Sequence, residues 1–351
     1  MKQTSGALSS PVLATTSKIS IALCTYNGAA YLPEQWQSLL QQDRLPDEVI
    51  ICDDGSTDDT RPLLRQLAAD APFRVTVVEN PVRLGFNKNF GQALSRCTGD
   101  LVFLCDQDDF WMPQKLHRMA DFMAQNPAVQ VAFNDAQIAD ESLQPTSERF
   151  WARVYFDEAM QQHWQEGRAM DVLLDGNRVM GCATVMRQSF LNALLPIPDE
   201  VPGYIYDGWM SLMGAGLGVI SFVNEPLQLY RTHPTQQVGV HEKPPGPRVR
   251  LRDRFIRDRT LKLAPLRGQR QQLADIRQLL LGRGIPDDTP GMRQLDQRLA
   301  HYSLRSELPD NRFGRVSPVL TALRQGEYHR YANVSADWYS PYLAALGDLL
   351  E

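Results

Sequence analysis

Four short apolar runs, partly β-branched, recur at nearly even spacing in the first third of the chain: Ile19 to Cys24, Val49 to Cys52, Val75 to Val78 and Leu101 to Cys105. Helical patterns lie between them. Leu32 to Leu40 carries Pro33 at a first-turn position, Thr60 to Ala69 follows Ser56 as a cap, and Asn87 to Leu94 precedes the fourth run. Strands of this composition alternating with helices predict βαβ units and a parallel sheet covered on both faces. Right-handed crossovers then bring the carboxyl end of every strand to the same edge.

That edge gathers polar residues. The first run ends in Thr25-Tyr26-Asn27-Gly28, the second in Asp53-Asp54-Gly55-Ser56, the third in Glu79-Asn80 and the fourth in Asp106-Gln107-Asp108-Asp109. Ligands of open α/β sheets bind at this rim, so a nucleotide site is expected there. Beyond Asp109 the pattern loosens. A helix is expected near Gln114 to Ala124, a strand at Val129 to Asn134, a helix at Tyr206 to Met213 and a strand at Val219 to Val223. The Pro-Pro-Gly-Pro cluster at 244–247 reads as a linker, followed by helices at Arg248 to Leu281, Met292 to Leu304 and Ala336 to Leu350.

Charge narrows the function. The net charge is -5 over 351 residues, but the segment from His241 onward holds 19 basic and 13 acidic residues, leaving -11 for the first 240. That balance argues against a general nucleic-acid binder. Cys24, Cys52, Cys97, Cys105 and Cys182 lack metal-ligand spacing, which favours reduced, buried thiols over disulfides or a zinc site. No apolar run approaches the length of about 20 residues that spans a bilayer, so a cytoplasmic protein is expected. Residues 1–17, rich in Ser, Thr and Ala, read as a disordered leader.

Two acidic groups carry candidate chemistry. In DLVFLCDQDDFW, Asp106, Asp108 and Asp109 crowd just past a buried strand, a hard oxygen cluster suited to Mg2+ or Mn2+ with phosphate oxygens completing the shell. The alternative is an acidic turn capping the helix that follows. In DDGSTDD, Asp58 and Asp59 suit the positive end of the next helix. Asp53 and Asp54 come straight off the strand and can accept from a base N–H or a ribose hydroxyl.

Taken together, KISIALCTYNGAAYLPEQWQSLLQQ, EVIICDDGSTDDT, ENPVRLGFNKNFGQAL and GDLVFLCDQDDFW resemble the amino-terminal half of a family 2 glycosyltransferase, with the likeness running from residue 18 to about 235. The resemblance implies an α/β GT-A fold, with a Rossmann-like, mostly parallel central sheet flanked by helices. It implies a catalytic domain at 18–240, divided into a nucleotide-binding half (18–110) and an acceptor-binding half (111–240), with a helical C-terminal region at 241–351. The implied reaction moves one sugar, with inversion, from a UDP- or dTDP-linked donor to an acceptor hydroxyl. YRTHPTQQVG resembles bacterial rhamnosyltransferase-like members, which implies work on a surface polysaccharide such as an O antigen or capsule.

Carried over by position, Thr25, Tyr26, Asn27, Asp53 and Asp54 hold base and ribose, and Arg83, Asn87 and Lys88 contact nucleotide and phosphates. Asp106 and Asp108, with Gln107 between them, match the metal- and donor-binding Asp-X-Asp, and Asp109 supports them. Asp207 in GYIYDGWMSL matches the general base, although Tyr206-Asp207 stands where the family usually has Glu-Asp. Gly181, Cys182, Tyr206 and Trp209 fall on the acceptor side, and His233 near the leaving diphosphate.

Two other functions stay open on the residues alone. A sugar nucleotidyltransferase would need a Gly-rich basic loop after the first strand, and TYNGAAYLPE has no Lys or Arg. A non-catalytic sugar-nucleotide or glycan-binding module would not need Asp207. Lys243 to Arg270 carries ten basic residues against two acidic ones, with interleaved apolar positions. It fits either an amphipathic helix on an anionic membrane, near a lipid-linked acceptor, or a solvated helix packed on the catalytic domain or on a second subunit of a homodimer.

Overall fold

The computed structural model describes residues 17–234, 236, 259–333 and 337–350. The four apolar runs form β1 (Ile19–Thr25), β2 (Glu48–Asp53), β3 (Arg74–Glu79) and β4 (Leu101–Cys105), separated by α1 (Leu32–Leu40), α2 (Thr60–Ala69) and α3 (Phe86–Leu94). They pair in parallel in the order β3-β2-β1-β4. β1, β2 and β4 are buried on both faces, as their unbroken apolar runs require. Ile19, Ile21, Leu23 and Val49 join one core with Trp36, Trp111 and Met119, while Ala22, Ile50 and Val102 face the other with Phe90 and Leu94.

The second half is less regular. In chain order it comprises β5 (Phe110–Trp111), α4 (Lys115–Gln125), β6 (Val131–Ala139), β7 (Pro145–Arg149), α5 (Phe150–Arg153), α6 (Glu158–His163), α7 (Ala169–Leu174), β8 (Thr184–Arg187), α8 (Gln188–Leu194), α9 (Tyr206–Leu217) and β9 (Ile220–Arg231). The sheet continues β8-β6-β9-β5, with β7 on β6. β8 runs antiparallel to both β4 and β6, so the sheet is mixed, and parallel pairing dominates its first half. Four residues are too few to show a period, which is why this strand is invisible in the sequence.

The tail forms α10 (Arg259–Gly282), α11 (Pro290–Ser306), α12 (Arg312–Arg324), α13 (Glu327–Arg330) and α14 (Ser340–Leu350). Leu273, Ile276, Leu280, Met292 and Leu295 share one core with Met170, Trp209 and Met213. Each fully buried side chain of this kind contributes about 1.5–3 kcal/mol, so α10 and α11 are packed onto the second half. A smaller cluster around Leu308, Val319, Tyr328 and Ala345 holds α12 to α14. Among the described residues no helix is long and apolar enough to cross a membrane. The leader up to residue 16, the 244–247 linker and the basic stretch up to residue 258 lie outside the described residues.

Candidate active site

The polar strand ends and the start of α9 open onto one cleft of about 540 Å3. Thr25, Tyr26, Asn27, Asp54 and Arg83 line one edge; Asp106, Gln107, Asp108 and His233 its floor; Gly181, Cys182, Tyr206 and Asp207 the opposite wall. Thirteen positions singled out from the sequence thus meet in one place, although they span more than 200 residues of chain.

On the first edge the two carboxylates after β2 have different tasks. Asp53 is fully buried and accepts from Thr25 Oγ1 (3.0 Å), Ser56 N–H (3.0 Å) and Arg61 Nε (2.9 Å). Burial pushes its carboxyl up, but the bonds from Ser56, Arg61 and Thr25 outweigh it and hold the group below its ordinary value. Asp53 therefore braces the loop from beneath. Asp54 reaches the cleft, accepts the N–H groups of Leu84 (2.6 Å) and Gly85 (2.9 Å), and lies 3.9 Å from Arg83. The Arg83 guanidinium sits 4.0 Å over the Tyr26 ring. Asn27 adopts a left-handed backbone conformation and accepts the Thr57 N–H at 2.8 Å.

Three further predicted positions fall outside the cleft, as Asp53 does. Asn87 ties helix to helix, its Oδ1 accepting the Tyr206 N–H at 2.9 Å. Lys88 lies 3.2 Å from the exposed Asp199. Trp209 is fully buried in the core, where its Nε1 donates to the Leu194 carbonyl at 3.4 Å; two residues past Asp207, it stands on the other side of α9.

The acid cluster is held from several sides. Gln107 Oε1 accepts the Tyr26 N–H (2.8 Å) and its Nε2 donates to Tyr26 O (3.1 Å). Asp108 Oδ2 is 2.9 Å from His233 Nε2, and the His233 ring packs 4.2 Å from that of Tyr31. The buried Arg231 donates to the Asp108 carbonyl (2.8 Å) and to Glu34 (2.6 Å), so it clamps the turn instead of facing the cleft. Burial raises the Asp106 carboxyl well above its ordinary range, and the charges of Asp108, Asp109 and Asp207 raise it further. Burial first, then Asp108, pushes Asp109 up to about 7.

These residues fit a hard divalent cation. Ligand atoms of Asp106, Asp109 and Cys182 lie within 4.8 Å of one another. A cation there offsets the mutual repulsion that raises Asp106. Burial keeps the Cys182 thiol protonated, so the carboxylates are the donors of choice for Mg2+ or Mn2+. Asp106 bonds the Cys182 side chain, and the carboxylate brought beside it is Asp109 and not the expected Asp108, which lies outside this group with its Oδ2 on His233.

Across the cleft, Asp207 opens α9. Its Oδ1 accepts from Asn177 Nδ2 (3.0 Å) and from the Gly208 N–H (2.6 Å), and its Oδ2 from the Gly181 N–H (3.3 Å). Burial pushes its carboxyl up to about 6 against these bonds. It is thus ionised at neutral pH yet has appreciable proton affinity, the property of a general base. Tyr206 stacks on Phe90 at 4.1 Å, and its hydroxyl would lie 2.3 Å from any Cβ at position 181, so only glycine fits that turn.

Sequence reasoning missed Asn177, Lys115 and Gln228. Asn177 stands in a Gly-Asn turn that carries no chemical signature, and Gln228 is a lone amide in a strand. Lys115 opens a helix, where a lysine ordinarily faces water, yet here it is fully buried. Burial pushes its ammonium down to about 8, while the neighbouring Cys182, Cys105, Asp109 and Asp106 pull it upward. The crowded negative charge of the cluster is therefore answered in part by protein.

Residues 20–191 match the model of the family described as glycosyl transferase family 2. A Nostoc protein described as an uncharacterized glycosyltransferase is 31% identical over 227 residues, 62% of this chain and 65% of its own. A putative teichuronic acid biosynthesis glycosyltransferase of Bacillus subtilis, TuaG, is 26% identical over 216 residues, 61% of this chain and 78% of its own. The chain spans about three fifths of the length of the curated relatives it matches first. Among solved structures, S. aureus TarS 1-349 in complex with UDP-GlcNAc superimposes with a TM-score of 0.50 at 16% identity, covering 90% of this chain and 89% of that one. At that identity the likeness is one of fold.

Proposed function

We propose that this chain, whose residues 20–191 match the glycosyl transferase family 2 model on a GT-A fold, transfers one sugar from a nucleoside diphosphate sugar to an acceptor hydroxyl with inversion at the anomeric carbon. The observation that carries it is the confrontation of two acidic sites across one cleft: Asp106 and Asp108 at the end of β4, and the raised carboxylate of Asp207 at the start of α9.

Base and ribose lie along Thr25, Tyr26 and Asp54, with Arg83 toward the phosphates. The diphosphate lies over Asp106 and Asp108 with His233 beside it. A bound Mg2+ or Mn2+ at these carboxylates supplies positive charge that neutralises the departing diphosphate. Asp207 takes the proton of the acceptor hydroxyl as its oxygen forms the new bond to the anomeric carbon. The bond from that carbon to the phosphate oxygen breaks on the opposite face, and the electron pair leaves with the diphosphate. Gly181, Cys182 and Tyr206 wall the acceptor side.

The donor is a UDP- or dTDP-linked hexose, rhamnose included. The acceptor is a glycan or lipid-linked saccharide of a bacterial surface polysaccharide, met on the cytoplasmic side. In the described part of the basic stretch, Leu263 and Leu266 are buried and Lys262 pairs with Asp348 at 3.0 Å, which supports packing on protein there over contact with anionic lipid. The description of TuaG as a teichuronic acid biosynthesis enzyme and the UDP-GlcNAc bound by TarS support a donor and product of this kind. A thermal-shift screen of nucleoside diphosphate sugars, with and without Mn2+, tests the function. A specific donor raises the melting temperature by mass action and more so with metal. If no donor shifts the protein and metal makes no difference, the chain is not a donor-dependent transferase.

A further inference from the structure

Lys115 is fully buried at the first position of α4, directly beneath the cleft. Its Nζ donates to the Cys182 carbonyl at 2.7 Å and to Gln228 Oε1, and lies 3.7 Å over the Trp111 ring. These partners are a carbonyl, an amide oxygen and an indole face, none of them a carboxylate. Gln228 is itself fully buried, and its Nε2 donates to Asp109 Oδ2 (3.0 Å) and to Cys182 Sγ (3.2 Å).

An ammonium can only donate, so it admits one of the two orientations of the Gln228 amide: oxygen toward Lys115, nitrogen toward Asp109. The same ammonium pins the carbonyl of Cys182, next to the Gly181 N–H that bonds Asp207. One buried charge therefore reaches both sides of the cleft, the acid cluster through Gln228 and the base through the Gly181–Cys182 turn. A buried lysine without a paired carboxylate carries a desolvation cost that is hard to account for by packing alone where a methionine would fill the space.

We propose that Lys115 is a positioning residue: through Gln228 it orients Asp109 and offsets the charge of the cluster, and through Cys182 it sets the turn that holds Asp207. This inference rests on the transferase function proposed above. Its test is direct Mn2+ titration by the EPR signal of the unbound ion, beside steady-state kinetics, on Lys115→Met and Gln228→Glu. Lys115→Met makes the buried cluster more negative by one charge, and Mn2+ binding is expected to tighten by about tenfold or more, given the strength of buried Coulomb interactions. Gln228→Glu sets a second carboxyl against Asp109 at the place of the amide donor, where the two share a proton, so it misorients Asp109 with a smaller change in Mn2+ binding. Over the same comparison kcat falls by about a hundredfold, with the donor KM changed far less. Folded variants with wild-type Mn2+ affinity and kcat overturn the proposal, and so does a lowered melting temperature with both unchanged. Should Lys115→Met fail to fold, Gln228→Glu, which keeps side-chain volume, decides. A wild-type chain that binds neither Mn2+ nor any donor overturns the transferase function itself.

Discussion

Gln107 grips the backbone of Tyr26 with both ends of its amide, Oε1 on the N–H at 2.8 Å and Nε2 on the carbonyl at 3.1 Å. The turn that carries the acid cluster is thereby fastened to the edge of the cleft after β1. The grip depends on Gly28, where a Cβ would stand 2.1 Å from Gln107 Oε1.

Gly28→Ala is accordingly expected to evict Gln107 without unfolding the chain, because the clashing atom is the end of a flexible side chain. Donor affinity falls by about tenfold, the scale of one or two lost bonds that position a ligand-binding turn. Gln107→Ala gives the same loss, and the double variant is no worse than either alone. Isothermal titration with nucleoside diphosphate checks it. Additive losses would mean that the two positions act separately.

Asp207→Asn is expected to lower kcat by about 10²–10⁴-fold, the usual contribution of a positioned base, with donor binding kept. Asn177→Ala removes the 3.0 Å bond to Oδ1 and produces a smaller loss of kcat with the fold intact. Wild-type turnover after Asp207→Asn would assign the proton transfer to another group, whereas donor binding without any turnover in the wild type would leave the chain a binding module.

The acid limb of the rate follows from the same carboxyl. With its value raised to about 6 by burial, Asp207 is deprotonated above that pH and protonated below it, so kcat falls about tenfold per unit below pH 6. Asn177→Ala removes a bond that favours the carboxylate, which moves this limb to higher pH. A rate that stays flat down to pH 4.5 would assign the proton to another group.

Asp53 is expected to matter more to stability than to binding. Asp53→Ala leaves Arg61, Thr25 and Ser56 without their common acceptor and costs about 2–4 kcal/mol in urea unfolding at pH 7. The folded carboxyl lies below its ordinary value, so this stabilisation is present above the ordinary value and is lost as pH falls through the folded one. The stability gap between wild type and variant should therefore close in acid.

Metal dependence separates the carboxylates. EDTA is expected to abolish transfer, and Asp106→Asn to abolish the Mn2+-dependent rise in melting temperature. Asp108→Asn weakens that rise less, because His233 already holds Asp108 Oδ2 at 2.9 Å. Equal effects of the two substitutions would place the ion symmetrically between them.

Much of this was legible in the chain itself. The apolar runs of β1 to β4 announce buried parallel strands, and their polar ends locate the rim, because hydrophobic period and turn chemistry are local properties. The crowding of Asp106, Asp108 and Asp109 marks the floor of the cleft for the same reason: like charges so close in sequence stay close in any fold. Only the tertiary structure decided the rest. The insertion of β8 between β4 and β6 pairs residues more than 50 positions apart, which no local pattern encodes. Asp53 and Asp54 are neighbours of one type, yet burial assigns one to the loop and the other to the cleft. Lys115, Asn177 and Gln228 are ordinary polar residues in sequence. They acquire their roles when folding removes water from around them, since a charge or an amide without solvent must find its partners in protein, and those partners come from strands and turns far along the chain.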